Sequence, residues 1–151
     1  MALQCSTVFV ALADPDGKTL VRFYTQLFGQ EPVVHIPDVY AEFQLPGLRV
    51  GIFKPKTNYR SEFEAQAGSM SLCLEVEELE AAIAAVEKAF MEAHLTADHL
   101  LPSDVMVVSH GREVYAYDPV GNRLILHEAA QKHEAAQKKD NRKSAKPEKP
   151  I

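Results

Sequence analysis

One order of elements, strand, helix and then three strands, occurs twice along the chain, which points to a fold built from two like modules. In the first half, "CSTVFVALA" (5–13) is β-branched and apolar. "ADPDGKTLVRFYTQLFG" follows as a helix, with Asp14 or Asp16 as its cap, Leu20, Phe23, Tyr24 and Leu27 at helical spacing and Gly29 as its terminator. "PVVHI", "YAEFQL" and "LRVGIF" read as three short strands, the last two joined by a tight turn at Pro46 and Gly47. The second half repeats this. "SMSLCLEV" is a strand, and "EELEAAIAAVEKAFMEAH" is an amphipathic helix with Leu79, Ile83, Val86 and Phe90 inward. "DVMVVS", "REVYAYD" and "NRLILHE" are the closing strands.

The residues support the repeat beyond the order of elements. "TVFVAL" (7–12) lies over "SLCLEV" (71–76), and "FQLPGLRVGIF" (43–53) over "YDPVGNRLILH" (117–127), both without gaps. In the second overlay Gly47 meets Gly121, Arg49 meets Arg123, and the apolar alternation stays in phase. The reading is α+β: two βαβββ modules, about 5–55 and 69–127, within one domain of residues 1–128.

Residues 129–151 differ in kind. "HEAAQKHEAAQK" duplicates six helix-forming residues, and a Lys- and Pro-rich run with nothing to bury follows, so a short helix and a disordered tail are expected. The formal charge is -5, and the last fourteen residues hold six basic and two acidic side chains, about +4, so the body carries about -9. An acidic body argues against a nucleic-acid partner, and the longest apolar run falls short of a bilayer span. Cys5 and Cys73 sit in apolar runs without C-x-x-C spacing, which reads as reduced core thiols in a cytoplasmic protein.

The paired modules, "FYTQLFG" closing the first helix and "YDPVGNRLIL" closing the second module, resemble the vicinal oxygen chelate superfamily of glyoxalase I, extradiol dioxygenases and fosfomycin- and bleomycin-resistance proteins. The resemblance covers residues 5–127. It implies a half-barrel per module with a concave cavity, and in metal-dependent members a divalent ion bound by the first and last strand of each module. Those positions here are Thr7, Gly51, Ser71 and Ile125. None is a useful ligand, since such ions require imidazole or carboxylate donors. No metal and no cofactor are therefore expected.

If those positions face the cavity, strand alternation places Phe9, Arg49, Phe53, Cys73, Glu75, Arg123 and His127 there too. The opposite faces, Val8, Val10, Leu12, Val50, Ile52, Leu72, Leu74, Val76, Leu124 and Leu126, are uniformly apolar and suit burial. Some rings among Tyr40, Phe43, Tyr115 and Tyr117 are expected to line the cavity as well, Tyr115 foremost, while Phe23 and Tyr24 belong to the core. The candidate ligand-binding set is therefore Phe9, Arg49, Phe53, Ser71, Cys73, Glu75, Tyr115, Arg123 and His127. The remaining histidines, His35, His94, His99, His110 and His133, read as solvated or structural. "HEAAQKH" is no zinc-protease motif, because His127 and His133 are six apart, about 240° around a helix. No nucleophile has an identifiable base, so no catalytic residue is assigned.

Three functions compete. The first is a metal-free small-molecule-binding protein, a homodimer if it follows the bleomycin-resistance type. The second is a metal-dependent lyase or dioxygenase with atypical ligands, for which Glu75, His127, Glu42 and His35 are the reserves. The third is a scaffold or regulatory domain that binds protein through its open sheet or its tail.

Overall fold

The computed structural model describes residues 2–64, 68–93 and 101–130. The expected short helix and tail after residue 130 lie outside the described residues. The first module runs β1 (Val10–Ala13), α1 (Thr19–Phe28), β2 (Val34–Ile36), β3 (Tyr40–Leu45) and β4 (Leu48–Phe53). The second runs β5 (Ser71–Glu75), α2 (Leu79–Glu92), β6 (Met106–Val108), β7 (Gly111–Tyr117) and β8 (Arg123–Ala129). A 3-10 segment, Thr57–Phe63, connects them. Each module forms a four-stranded mixed sheet, ordered β1-β4-β3-β2 and β5-β8-β7-β6, with the first strand parallel to the last. The expected α+β fold of two βαβββ modules is what forms.

Both helices start on carboxylates that lie outside them. Asp16 accepts from the backbone N–H groups of Lys18 and Thr19, and Asp14 from that of Leu20 at 2.8 Å. The N–H of Leu79, at the start of α2, donates to Glu128 of β8 at 2.8 Å. Free N–H groups at a helix start need such acceptors. Gly29 ends α1 in the left-handed conformation, φ 61°, as the sequence predicts.

One apolar cluster joins the modules. Leu20, Phe23 and Tyr24 of α1, Leu79, Val86 and Phe90 of α2, and Phe43, Ile52, Val114, Leu124 and Leu126 from the strands are buried in it. The rings of Phe23 and Phe90 meet edge to face at 5.2 Å. With the apolar strand faces turned inward, alternation leaves the opposite faces outward.

Several details depart from the sequence reading. β1 begins at Val10 instead of residue 5, which leaves Val8 exposed and Thr7 ahead of the strand. Cys5 and Cys73 are exposed free thiols, not core groups, because Cys5 precedes β1 and Cys73 points to the outward face of β5. Phe43 is fully buried, since it stands an odd number of residues from the outward Tyr40.

The gapless overlays also need correcting. Val10 pairs with Val50 and Leu72 with Leu124, so residue 9, not residue 7, corresponds to Ser71. Gln44 pairs with Arg49 but Tyr117 with Arg123, so the second hairpin turn is one residue longer.

Candidate functional site

In the first module the outward face is built from rows across neighbouring strands. Glu42 stands opposite Gly51, Gln44 opposite Arg49 and Tyr40 opposite Phe53. The guanidinium of Arg49 lies over the ring of Phe9, 4.5 Å from its centre, and its Nε is buried with no hydrogen-bond partner. The Tyr40 hydroxyl donates to Glu42 at 2.7 Å; burial first and this bond second push it up to about 12. Phe53 packs edge to face on Phe63 at 5.1 Å, a partner that the sequence reading missed because it lies on the 3-10 segment.

The second module carries Glu113, His127 and Glu75 in one row, Tyr115, Ile125 and Cys73 in the next, and Tyr117, Arg123 and Ser71 beyond. Arg123 donates to the Ser71 hydroxyl at 3.4 Å and to the Gly68 carbonyl at 2.8 Å, with its guanidinium 6.0 Å from the Tyr115 ring. Both carboxylate oxygens of Glu75 lie 2.8 Å from Nδ1 of His127. Burial, then the charges of Glu75 and Glu113, push the Cys73 thiol up, so it is a poor nucleophile. His110, Glu113 and His127 each place one ligand-type atom within 4.8 Å of the other two. Glu113 was legible from the sequence, two residues from Tyr115 on one strand. His110, a turn residue, was not.

The nine sequence-predicted residues therefore fall into two groups, Phe9 just ahead of β1 with Arg49 and Phe53 of β4, and the other six on the second sheet. Among the described residues no hydrogen bond, ion pair or ring contact joins the groups. A cleft of about 500 Å³ lies at the module junction, lined by Leu27, Phe28, Leu45, Leu48, Val76 and Leu126 among others, and it takes in only Cys73 and Glu75 of the predicted set.

The superfamily metal positions can be tested against these surroundings. With Phe9 in place of Thr7, the set becomes Phe9, Gly51, Ser71 and Ile125, still without an imidazole or carboxylate. A Cβ at Gly51 would meet the Tyr40 hydroxyl at 3.0 Å and the Phe9 ring at 3.2 Å. Two aromatic side chains thus fill the space a ligand side chain would need. These residues do not fit a metal at those positions.

Comparison with known proteins agrees with the fold. A family model of the Glyoxalase/Bleomycin resistance protein/Dioxygenase superfamily matches residues 7–126. No match was found among curated proteins. Among solved structures, a glyoxalase-related enzyme from Fulvimarina pelagi is similar at TM-score 0.58 and 24% identity, over 82% of this chain and 88% of that one. The bleomycin-binding protein of Streptomyces verticillus, complexed with copper(II)-bleomycin, gives TM-score 0.54 and 18% identity over 85% and 99%. A lactoylglutathione lyase from Agrobacterium tumefaciens gives 0.51 and 20% over 82% and 94%. Identities this low carry the fold alone. They span a binding protein and a lyase, so the chemistry has to come from the side chains of this chain.

Proposed function

The chain belongs to the Glyoxalase/Bleomycin resistance protein/Dioxygenase superfamily, and we propose that within it this protein binds a small molecule on its concave face without a metal at the superfamily positions. The observation that carries this reading is at Gly51, where Phe9 and Tyr40 occupy the space above a residue that has no side chain to offer an ion. Beside them Arg49 lies on Phe9 with a buried Nε that lacks an acceptor. A flat ring with an anionic or hydrogen-bond-accepting edge suits that corner: the ring packs on Phe9 and Phe53, and the edge satisfies the guanidinium. Ser71, Cys73, Tyr115 and Arg123 offer a second polar wall. The reading includes a homodimer in the cytoplasm, in which a second copy covers faces that a single chain leaves open.

The test uses the full chain after treatment with chelator. Thermal-shift screening against aryl carboxylates, aryl amines and metal-free bleomycin, followed by calorimetry, is expected to find a ligand whose affinity is the same with and without chelator. Arg49→Met should weaken an aryl carboxylate at least tenfold. Failure of the chelated screen to find any ligand would overturn the reading, and lactoylglutathione lyase turnover with added zinc or nickel would replace it with a metal-dependent enzyme.

A further inference from the structure

Across β7, β8 and β5 the side chains of Glu113, His127 and Glu75 share one row of the outward face. Glu75 sets the state of the histidine between them. With a carboxylate at 2.8 Å from Nδ1, the neutral ring carries its proton on Nδ1 and leaves a bare lone pair on Nε2. That Nε2 is buried and has no hydrogen-bond partner, in a residue only 6% exposed. A buried acceptor left without a donor is a cost that native structures rarely leave unexplained.

What faces His127 supplies an explanation. The His110 ring lies 4.7 Å away, centre to centre, and its Nε2 is 3.2 Å from Oε1 of Glu113. The turn that presents His110 is fixed on both sides. Its carbonyl accepts from the N–H of Ala130 at 3.0 Å. The next residue, Gly111, has φ +153°, and a Cβ there would collide with the Glu128 carbonyl.

We propose that His110, Glu113 and His127 bind a divalent transition-metal ion, Zn²⁺ by the chemistry of the donors, with Glu75 as the positioning residue behind His127. Two imidazoles and one carboxylate suit zinc, and a carboxylate on the far nitrogen of a ligating histidine is its usual orienting partner. Ligand atoms around a tetrahedral zinc stand about 3.4 Å apart at a Zn–N length of about 2.0–2.1 Å. The present separations, up to 4.8 Å, would close by movement of the His110 and Glu113 side chains toward Nε2 of His127. Three protein ligands leave a fourth position for water or for an oxygen of a bound molecule. The site lies two residues along β8 from Ile125, so it is distinct from the superfamily position. It goes beyond the ligand-binding reading and does not depend on it.

The experiment is a Zn²⁺ titration of the chelator-stripped full chain by calorimetry, with elemental analysis for stoichiometry and Co²⁺ absorption as a second probe. One ion per chain is expected. His110→Ala and Glu113→Gln should each weaken binding at least tenfold, and Glu75→Gln by about 10–100-fold with no change in the thermal midpoint of the metal-free protein. His110 is exposed, so His110→Ala keeps its fold, which circular dichroism verifies. His133→Ala, in the tail, should leave the affinity within twofold. Absence of stoichiometric binding, affinity unchanged in both His110→Ala and Glu113→Gln, or affinity lost in His133→Ala would overturn the proposal. The ligand screen is run in chelator, so its failure leaves this titration unaffected.

Discussion

Asp14 is a fully buried carboxylate with half of its acceptor capacity in use. Oδ2 takes the Leu20 N–H at 2.8 Å, while Oδ1 finds no donor. Burial pushes its pKa up to about 6; the Leu20 N–H works against that shift, and neighbouring Asp16 adds to it. A proton on Asp14 gives Oδ1 a bond to make, because it can then donate to Asp16. Asp16 itself is held below the usual range: burial pushes it up, but the Thr19 hydroxyl and the N–H groups of Thr19 and Lys18 outweigh that push. The folded pKa of Asp14 lies above its unfolded value of about 3.9, so the folded chain binds more protons between about pH 4 and 6. The stabilising contribution is therefore complete below that window and is lost as the pH rises through it. Asp14→Asn keeps an oxygen for Leu20 and offers an amide to Asp16 at every pH. Urea midpoints measured from about pH 4.5 to 7.5 should show the variant gaining on the wild type by at most about 1.4 kcal/mol per pH unit, with a plateau above the window. Parallel curves would mean that Asp14 ionises as freely in the folded chain as in the unfolded one.

The two stretches that carry the family resemblance touch each other at the level of elements. Tyr24 of the "FYTQLFG" helix donates its hydroxyl to Asp118 of the "YDPVGNRLIL" turn at 2.7 Å, and that carboxylate also accepts from Val120 N–H and from the backbone and side chain of Asn122. The bond ties α1 of one module to the β7–β8 turn of the other. Tyr24→Phe should therefore destabilise the chain by about 1–2 kcal/mol in urea unfolding; a loss under about 0.5 kcal/mol would show that apolar contact alone holds the modules together. The helices and most strands were legible because period 3.6 and period 2 are written in Leu20, Phe23 and Tyr24 and in Leu124 and Leu126. The module overlay was legible only up to a shift of two residues, since alternating strands look alike at that shift. That ambiguity put Thr7 where Phe9 belongs. The alternation of β4 and β8 was legible for the same reason that the core was, whereas His110, Phe63 and the longer second turn depend on loop geometry that no periodicity encodes.

For the whole molecule, the question is what covers the outward faces. On the first module Phe9, Val34, Ile36, Tyr59 and Phe63 are each at least 39% exposed. Val34 and Ile36 sit opposite Glu42 and Tyr40, on the same face as Arg49 and Phe53. Apolar surface of this extent on one face is uncommon in a protein that works alone, and it extends to the edge strand β2, where another chain can approach. The second copy proposed above would cover it, and Glu75, Glu113, Arg123, Tyr115 and Tyr117 of the second module share a polar and aromatic face that such a contact could use. Sedimentation equilibrium should then give twice the 16.8 kDa chain mass, and Ile36→Asp should shift the population to monomer and weaken the aryl carboxylate found in the chelated screen. A wild-type chain that sediments as a monomer and binds this ligand would assign the pocket to one chain and leave the apolar face to the ligand itself. In that case Ile36→Asp should weaken binding without changing the mass, which separates the two explanations.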